Sequence, residues 1–385
     1  MENFIYHVPT KIYFGKGQIA SLKEELPRYG KKALLVYGGG SIKRNGIYDA
    51  IRRLSEEAGI ELLELPGVEA NPRITTVYRG VELCRREGID MVLPAGGGSV
   101  IDCAKLVAAG ACYEGDAWEL VKHPGLIEKA LPVICVLTVA ATGSEMDHIA
   151  VISNDETQEK IGTRNPLLRP KASILDPSYT FSVSPYQTAA GVADIMSHAM
   201  ESYFSREPAD LQNYFAEAIL RVCVENGKRL LDEPDNYEAR ANVMWAASWA
   251  INDTLKMGHM VQWSVHPIEH QLSAVYDVTH GEGLAILTPH WMRRVLDEES
   301  VGQFEELAVH IWKVKPSGDR FRTAQEGIAC LERFFESLGL KSRLSQLGID
   351  ESHFEEMAAK AAAQVKGAYR ELTKEDIIQI YRDSL

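Results

Sequence analysis

The sequence predicts an α/β N-terminal half followed by an all-helical C-terminal half, and three observations carry that reading. Short apolar runs alternate with segments of helical spacing through the first half, two of those runs end in triple-glycine turns, and beyond residue 185 the pattern becomes helical throughout. Strands alternating with helices imply βαβ units and a parallel sheet covered on both faces.

Taken in order, Ala33–Tyr37 (ALLVY) is an apolar run that ends in Gly38-Gly39-Gly40, and helical spacing follows over Tyr48–Ala58. Leu62–Leu65 reads as a strand and Thr75–Glu87 as a helix. Met91–Ala95 (MVLPA) is a buried strand that ends in Gly96-Gly97-Gly98, with a helix from Val100 onward, and Val133–Thr138 is a further strand. After Pro185 the spacing predicts helices over roughly 187–205, 209–230, 237–254, 260–275, 283–297, 301–312, 320–338, 351–364 and 374–383. Two domains suit a chain of 385 residues, with the division expected as 1–185 and 186–385.

Composition narrows the function classes. Hydrophobic residues make up 45% and charged residues 25%, as in an ordinary globular protein. A net charge of −13 with no Lys/Arg cluster excludes nucleic acid and anionic membranes as expected partners. The six cysteines form no CxxC pair, which suits reduced thiols in a cytosol. Met1-Glu2-Asn3-Phe4 is not a basic region followed by an apolar one, and the longest apolar stretch, about Leu131 to Ala141, falls short of the ~20 residues of a membrane helix. A cytoplasmic protein is expected.

The glycine turns offer the first chemistry. Gly96-Gly97-Gly98-Ser99 lies between a strand and a helix. Glycine lets backbone approach a ligand closely, and the N–H groups of a helix N-terminus can hold a pyrophosphate. Ser99 and Asp102 are also spaced as a capping box, so a tight turn with a good cap explains the same residues. Gly38-Gly39-Gly40-Ser41 departs from GxGxxG, yet it also follows a strand, and open α/β sheets bind ligands at strand C-terminal ends. An acid at an adenine ribose would reject a 2′-phosphate. The Gly38–Ser41 turn has none, and Lys43 and Arg44 follow it, which favours NADP(H) over NAD(H). Thr138 and Thr142 add hydroxyls at the end of another strand.

The second chemistry is in the helical half. Asp194 and His198 are four residues apart, on one helix face, and His266 and His270 repeat that spacing ahead of His280. One carboxylate and three imidazoles suit Zn²⁺ or Fe²⁺, whereas any one i,i+4 pair is also a common helix-stabilising contact.

Together these segments resemble the iron-containing (group III) alcohol dehydrogenase family over nearly the whole chain, nearest its NADP-linked butanol dehydrogenase and broad aldehyde reductase branch. The resemblance is carried by Pro9-Thr-Lys-Ile-Tyr-Phe14-Gly15-Lys-Gly17, Tyr37-Gly-Gly-Gly-Ser41, Gly96-Gly-Gly-Ser99-x-x-Asp102-x-x-Lys105, Thr142-Gly-Ser-Glu-Met146 and His266-x-x-x-His270…Asp277-x-x-His280-Gly281-x-Gly283. It implies a Rossmann-like parallel sheet in a dinucleotide-binding domain, an all-α metal-binding domain, and the architecture shared with dehydroquinate synthase. It also implies metal ligands Asp194, His198, His266 and His280, with His270 a non-ligand near the substrate. Gly96, Gly97, Gly98 and Ser99 would hold the pyrophosphate, Thr138 and Thr142 would touch the nucleotide, Gly38, Gly39, Gly40 and Ser41 would surround the 2′-phosphate, and Lys160 would lie on the nicotinamide side.

The activity implied is interconversion of small primary alcohols and aldehydes by a homodimer with one Fe²⁺ or Zn²⁺, the metal polarising the carbonyl. Two departures stand out. Asp147 replaces an Asn common in the branch, and Pro267 places His266 at a helix start. A dehydroquinate synthase-like lyase would want basic residues near the metal, and Lys256, Arg293 and Arg294 leave none between His266 and His280. A glycerol-type polyol dehydrogenase is the other alternative.

Overall fold

The computed structural model describes residues 1–385 except 208, 262 and 366–368. Its sheet has six strands: β1 (Lys11–Phe14), β2 (Lys32–Val36), β3 (Glu61–Leu65), β4 (Met91–Gly96), β5 (Ile134–Leu137) and β8 (Ala172–Leu175). They lie in the order β1-β8-β5-β4-β2-β3 with every pairing parallel. Between β5 and β8 in the chain, β6 (Ile149–Asn154) and β7 (Glu159–Arg164) form a separate antiparallel ribbon.

The inner strands are apolar runs because both their faces are covered. Every residue of β4, β5 and β8 is buried, while the edge strands β1 and β3 are partly open. Alternation along each strand divides the side chains between two cores. Leu34, Val36 and Val92 enter one, and Ala33, Leu35 and Leu93 enter the other.

Helices α1 (Leu22–Glu25), α2 (Ser41–Arg44), α3 (Ile47–Glu57), α4 (Ile74–Glu87), α5 (Gly98–Gly110) and α6 (Ala117–Lys122) accompany the sheet. The C-terminal helices are α7 (Pro185–Tyr203), α8 (Asp210–Asp232), α9 (Tyr237–Ile251), α10 (Val265–Tyr276), α11 (His280–Val295), α12 (Val301–His310), α13 (Arg320–Ser337), α14 (Phe354–Ala362) and α15 (Lys374–Asp383). Ser184 starts α7 by accepting the Gln187 N–H at 3.2 Å, with Pro185 in the first turn. Among the described residues no helix is long and apolar enough to cross a membrane.

The chain forms two compact units, and each is discontinuous. One comprises His7–Val183 with Asp235–Asn252, and the other Met1–Tyr6, Ser184–Pro234 and Asp253–Leu385. The expected division into 1–185 and 186–385 therefore differs in two segments. Helix α9 joins the sheet unit because Tyr237 Oη accepts the Lys16 N–H at 3.1 Å, Trp245 meets Phe14 edge-on at 5.6 Å, and Ser248 Oγ donates to Glu145. The N-terminus joins the helical unit through the Glu2 N–H on Gly258 O at 2.7 Å and the Tyr6–Thr254 hydroxyl pair at 2.9 Å. These are long-range contacts that no local periodicity expresses.

Candidate functional site

In the helical unit, α7 carries Asp194, His198 and Glu201, spaced four and three residues apart and all buried. That spacing puts the three on one face. His266 is the second residue of α10 and Pro267 the third, so the proline sits in the first turn, where no intrahelical N–H is required. Glu201 supplies the N-terminal partner: its carboxylate accepts from Ser264 N at 3.1 and 3.2 Å, from Val265 N, and from His266 N at 3.3 Å. Asp277, at φ 53°, ends α10 in the left-handed region, and His280 opens α11 three residues later. Gly281 lets α11 approach the backbone of α7, since any Cβ there would run into Ala190 O, one turn before Asp194.

These elements bring three imidazoles to one carboxylate oxygen, with Asp194, His198 and His266 the tighter set and His280 also beside Glu269 and His270. Nε2 of His198 lies 3.4 Å from Asp194 Oδ1, and Nε2 of His266 and of His280 each lie 3.8 Å from the same oxygen. The separations are too long for good hydrogen bonds. Donors arranged tetrahedrally about 2.1 Å from one Zn²⁺-sized ion sit about 3.4 Å apart, so the spacing suits a shared cation. Asp194 Oδ1 and His266 Nε2 are moreover buried without a hydrogen-bond partner among the described residues, and an unpaired buried polar atom is costly. The His198 and His266 rings stack at 4.8 Å, and Trp263 meets His266 edge-on at 4.7 Å.

The metal-free electrostatics reflect this crowding. Burial pushes the Asp194 carboxyl up, but His198, His266 and His280 outweigh it and hold the pKa at about 2. Burial pushes His266 down, but Asp194 and Glu201 raise it to about 9. Glu201 Oε2 lies 3.5 Å from His266 Nδ1, and Glu269 Oε2 accepts from His280 Nδ1. Glu269 Oε1 accepts from Ser273 Oγ. Each carboxylate faces the ring nitrogen opposite the one aimed at Asp194, which fixes ring orientation and tautomer. His270 is buried but lies to one side, its ring 5.5 Å from that of His280 and 6.3 Å from that of His266.

Glu201 and Glu269 are the residues the sequence reading missed. Their signal was present: Glu201 continues the Asp194/His198 face by one turn, and Glu269 stands three residues after His266.

In the sheet unit, the glycine turns lie at the C-terminal ends of β2 and β4, which pair directly. Gly96–Ser99 and the 138–142 segment come together: the Thr138 N–H donates to Gly96 O at 3.0 Å, and a Cβ on Gly98 would fall 2.5 Å from Thr142 Cγ2. A Cβ on Gly38 would lie 3.8 Å from Val100 Cγ2, so the turn after β2 borders the start of α5. Gly40 adopts φ 88°, and a Cβ on Gly39 would meet nothing within 4 Å, leaving room for a ligand beside the backbone. Lys160 lies in β7, in the ribbon rather than the sheet, and is buried.

The capping box expected of Ser99 and Asp102 is absent. Helix α5 begins at Gly98 with Gly97 as its cap, and no side chain caps it. Ser99 Oγ donates to Ala70 O instead. The Asp102 carboxylate accepts from Ser144 Oγ at 2.5 Å and from Val151 N of the ribbon at 2.9 Å, contacts distant in sequence that compete for the same oxygens. Beside it, the wholly buried Lys105 ammonium donates to Asp147 Oδ1 at 2.6 Å and Ile149 O at 2.8 Å. The carboxylate at position 147 thus has a buried cation as its partner.

Comparison with known proteins also divides the chain in two, by continuous sequence. Residues 9–177 match the family model for iron-containing alcohol dehydrogenase, and residues 188–385 match that for the C-terminal part of the Fe-containing alcohol dehydrogenase family. The chain is 50% identical over 388 residues to NADH-dependent butanol dehydrogenase A of Clostridium acetobutylicum, covering 100% of both chains. It is 38% identical over 356 residues to the NADPH-dependent aldehyde reductase YqhD of Escherichia coli, covering 91% of each. The crystal structure of NADH-dependent butanol dehydrogenase A from Thermotoga maritima superposes with a TM-score of 0.96 at 41% identity, over 100% of this chain and 99% of that one.

Proposed function

The chain belongs to the iron-containing alcohol dehydrogenase family and is an NAD(P)-dependent, metal-dependent oxidoreductase of alcohols and aldehydes, and on that premise we propose how its residues divide the work. Asp194, His198, His266 and His280 hold one divalent metal, and this donor set suits Fe²⁺ and Zn²⁺ alike. The observation that carries the assignment is the approach of three imidazole Nε2 atoms to a single buried oxygen, Asp194 Oδ1, within 3.8 Å. When bound, such a metal supplies Lewis-acid polarisation of a carbonyl oxygen, while the nicotinamide dinucleotide supplies or takes up hydride.

The protein residues do the rest. The amides of Gly96 to Ser99, at the N-terminus of α5, hold the pyrophosphate, helped by the positive end of the helix. Thr138 and Thr142 contact the nucleotide, Gly38, Gly39, Gly40 and Ser41 surround its adenosine end, and Lys160 takes the nicotinamide side. Trp263 walls the histidine cluster on one side. His270 moves a proton between the substrate oxygen and solvent through its imidazole, a role supported by its place beside the cluster. The substrates are small primary alcohols and aldehydes of butanol and butanal type, and the working form is a homodimer. The cofactor names carried by the relatives divide between NADH and NADPH, so the preference for NADP(H) expected from Lys43 and Arg44 turns on what those side chains touch.

The test is consumption of NADH and NADPH by purified protein with butanal, with and without a chelator. Turnover that the chelator abolishes and Fe²⁺ or Zn²⁺ restores is the expected result. Turnover indifferent to chelation, with metal removal verified by elemental analysis, would overturn the metal assignment.

A further inference from the structure

Beside the Gly38–Ser41 turn lies an acid that the local sequence does not reveal. Glu64 is the fourth residue of β3, which pairs in parallel with β2 so that Leu35 faces Glu64 and Val36 faces Leu65. Its side chain therefore stands one residue short of the sheet edge where the glycine turn emerges. The turns after the two strands run together, with Gly67 N on Gly38 O at 3.3 Å and Val68 N on Tyr37 O at 3.2 Å.

Both carboxylate oxygens of Glu64 are engaged. Tyr37, immediately before the turn, donates its hydroxyl to Oε2 at 2.6 Å, and Tyr48 of α3 donates to Oε1 at 2.5 Å. Lys43 of α2 closes the group: its Nζ lies 3.7 Å from Glu64 Oε2, 4.5 Å from the centre of the Tyr48 ring and 5.0 Å from that of Tyr37. The two tyrosine rings meet edge-on at 6.1 Å, and Arg52 lies 5.8 Å from the Tyr48 ring. Burial pushes the Glu64 carboxyl up, but the two hydroxyls and Lys43 outweigh it and keep it below the ordinary range, so the acid stays charged.

We propose that Glu64, held by Tyr37 and Tyr48, determines cofactor selectivity by claiming Lys43 and placing a fixed negative charge beside the Gly38–Ser41 turn, so that NAD(H) is favoured over NADP(H). The inference rests on the reading that this turn receives the adenosine end of the dinucleotide. Of the two basic residues that follow the turn, Lys43 is the one paired with a carboxylate, so it has less to offer an arriving 2′-phosphate. The same phosphate is repelled by that carboxylate, whereas a neutral 2′-hydroxyl meets neither obstacle. Specificity then comes from a built-in repulsive element rather than from an added attraction. The expectation of NADP(H) rests on Lys43 and Arg44 and on the lack of an acid within the turn; the structure pairs the first of these with an acid. The acid comes from the next strand, more than twenty residues on.

The test is fluorescence titration of the metal-loaded protein with NADH and with NADPH, in the absence of alcohol or aldehyde, for the wild type, E64Q and the double variant E64Q/K43M. The wild type should bind NADH more tightly. E64Q should move the ratio of the two dissociation constants toward NADPH by about fivefold, the weight of one partly exposed charge pair. Adding K43M should take back only the part of that shift owed to the liberated lysine and leave the part owed to the lost negative charge. A merely structural role for Glu64 would weaken both dinucleotides together and leave the ratio where it was, which would overturn the proposal, as would a wild type that prefers NADPH. Binding of neither dinucleotide by any of the three would instead overturn the cofactor reading of the turn, and this inference with it.

Discussion

His280 Nδ1 donates to Glu269 Oε2, and the other nitrogen of the same ring lies 3.8 Å from Asp194 Oδ1. Glu269 is completely buried, so this bond is made where water cannot replace it. Partners of this kind orient a ligating histidine, and losing one typically costs ten- to a hundredfold in metal affinity. Glu269→Ala should therefore weaken metal binding about tenfold or more, measured by chelator competition, and Glu269→Gln, which keeps an acceptor, should weaken it less. Equal metal affinity in all three proteins would refute the orienting role.

His270 borders the cluster without joining the three nitrogens around Asp194. His270→Ala should retain stoichiometric metal by elemental analysis while turnover drops, by about a hundredfold or more if proton transfer limits the rate. Metal lost together with activity would make His270 a ligand instead.

Gly98 has no room for a side chain, because a Cβ there would lie 2.5 Å from Thr142 Cγ2 and 2.9 Å from Thr142 Cβ. Gly98→Ala should destabilise the sheet unit by about 1–3 kcal/mol through overpacking and weaken dinucleotide binding, read by thermal melting and fluorescence titration. Adding Thr142→Ala should recover most of the stability, since the two residues share one space. An undiminished melting temperature in the single variant would show that the segments separate freely.

Glu145 links pH to stability. Its carboxyl is raised from 4.5 to about 7, first by burial, against which the Ser248 hydroxyl bond works only in part. The folded protein therefore holds a proton that the unfolded chain releases. The resulting stabilisation is complete below pH 4.5 and lost as pH rises toward 7, a change of about 3 kcal/mol from this group. Asp102, raised to about 6 mainly by burial, adds in the same direction at lower pH. Denaturation of Glu145→Gln between pH 4.5 and 8 should give a stability curve that falls less steeply than that of the wild type. Parallel curves would show that Glu145 ionises as readily folded as unfolded.

The inner strands were legible because a covered parallel sheet demands continuous apolar runs. ALLVY and MVLPA are such runs, and β2 and β4 fall within a residue or so of them. Of the ribbon strands, EKIGTR is polar enough to read as loop whereas IAVISN is an apolar run like those of the sheet, and β8 (ASIL) has only 4 residues, too short to declare a period. Helix α10 starts at Val265 rather than near 260 because Glu201, from another helix, supplies its N-terminal partner. The Ser99/Asp102 spacing suggested a cap, but Ser144 and Val151 take the Asp102 oxygens first.

By itself the sequence determined what is local. Apolar runs ending in glycine set the strands and the turns that follow them, and the i,i+4 placement of Asp194/His198 and His266/His270 set the faces on which metal-binding chemistry would lie. Only the tertiary structure decided which of those groups meet. It put three imidazoles around one oxygen of Asp194, set Glu201 and Glu269 behind two of them, moved α9 to the sheet unit, and gave Lys43 the carboxylate of Glu64 as its partner. The physical reason is range. Periodicity and turn chemistry act over a few residues, whereas electrostatic pairing and coordination depend on distances in space between groups that the chain separates by tens of residues.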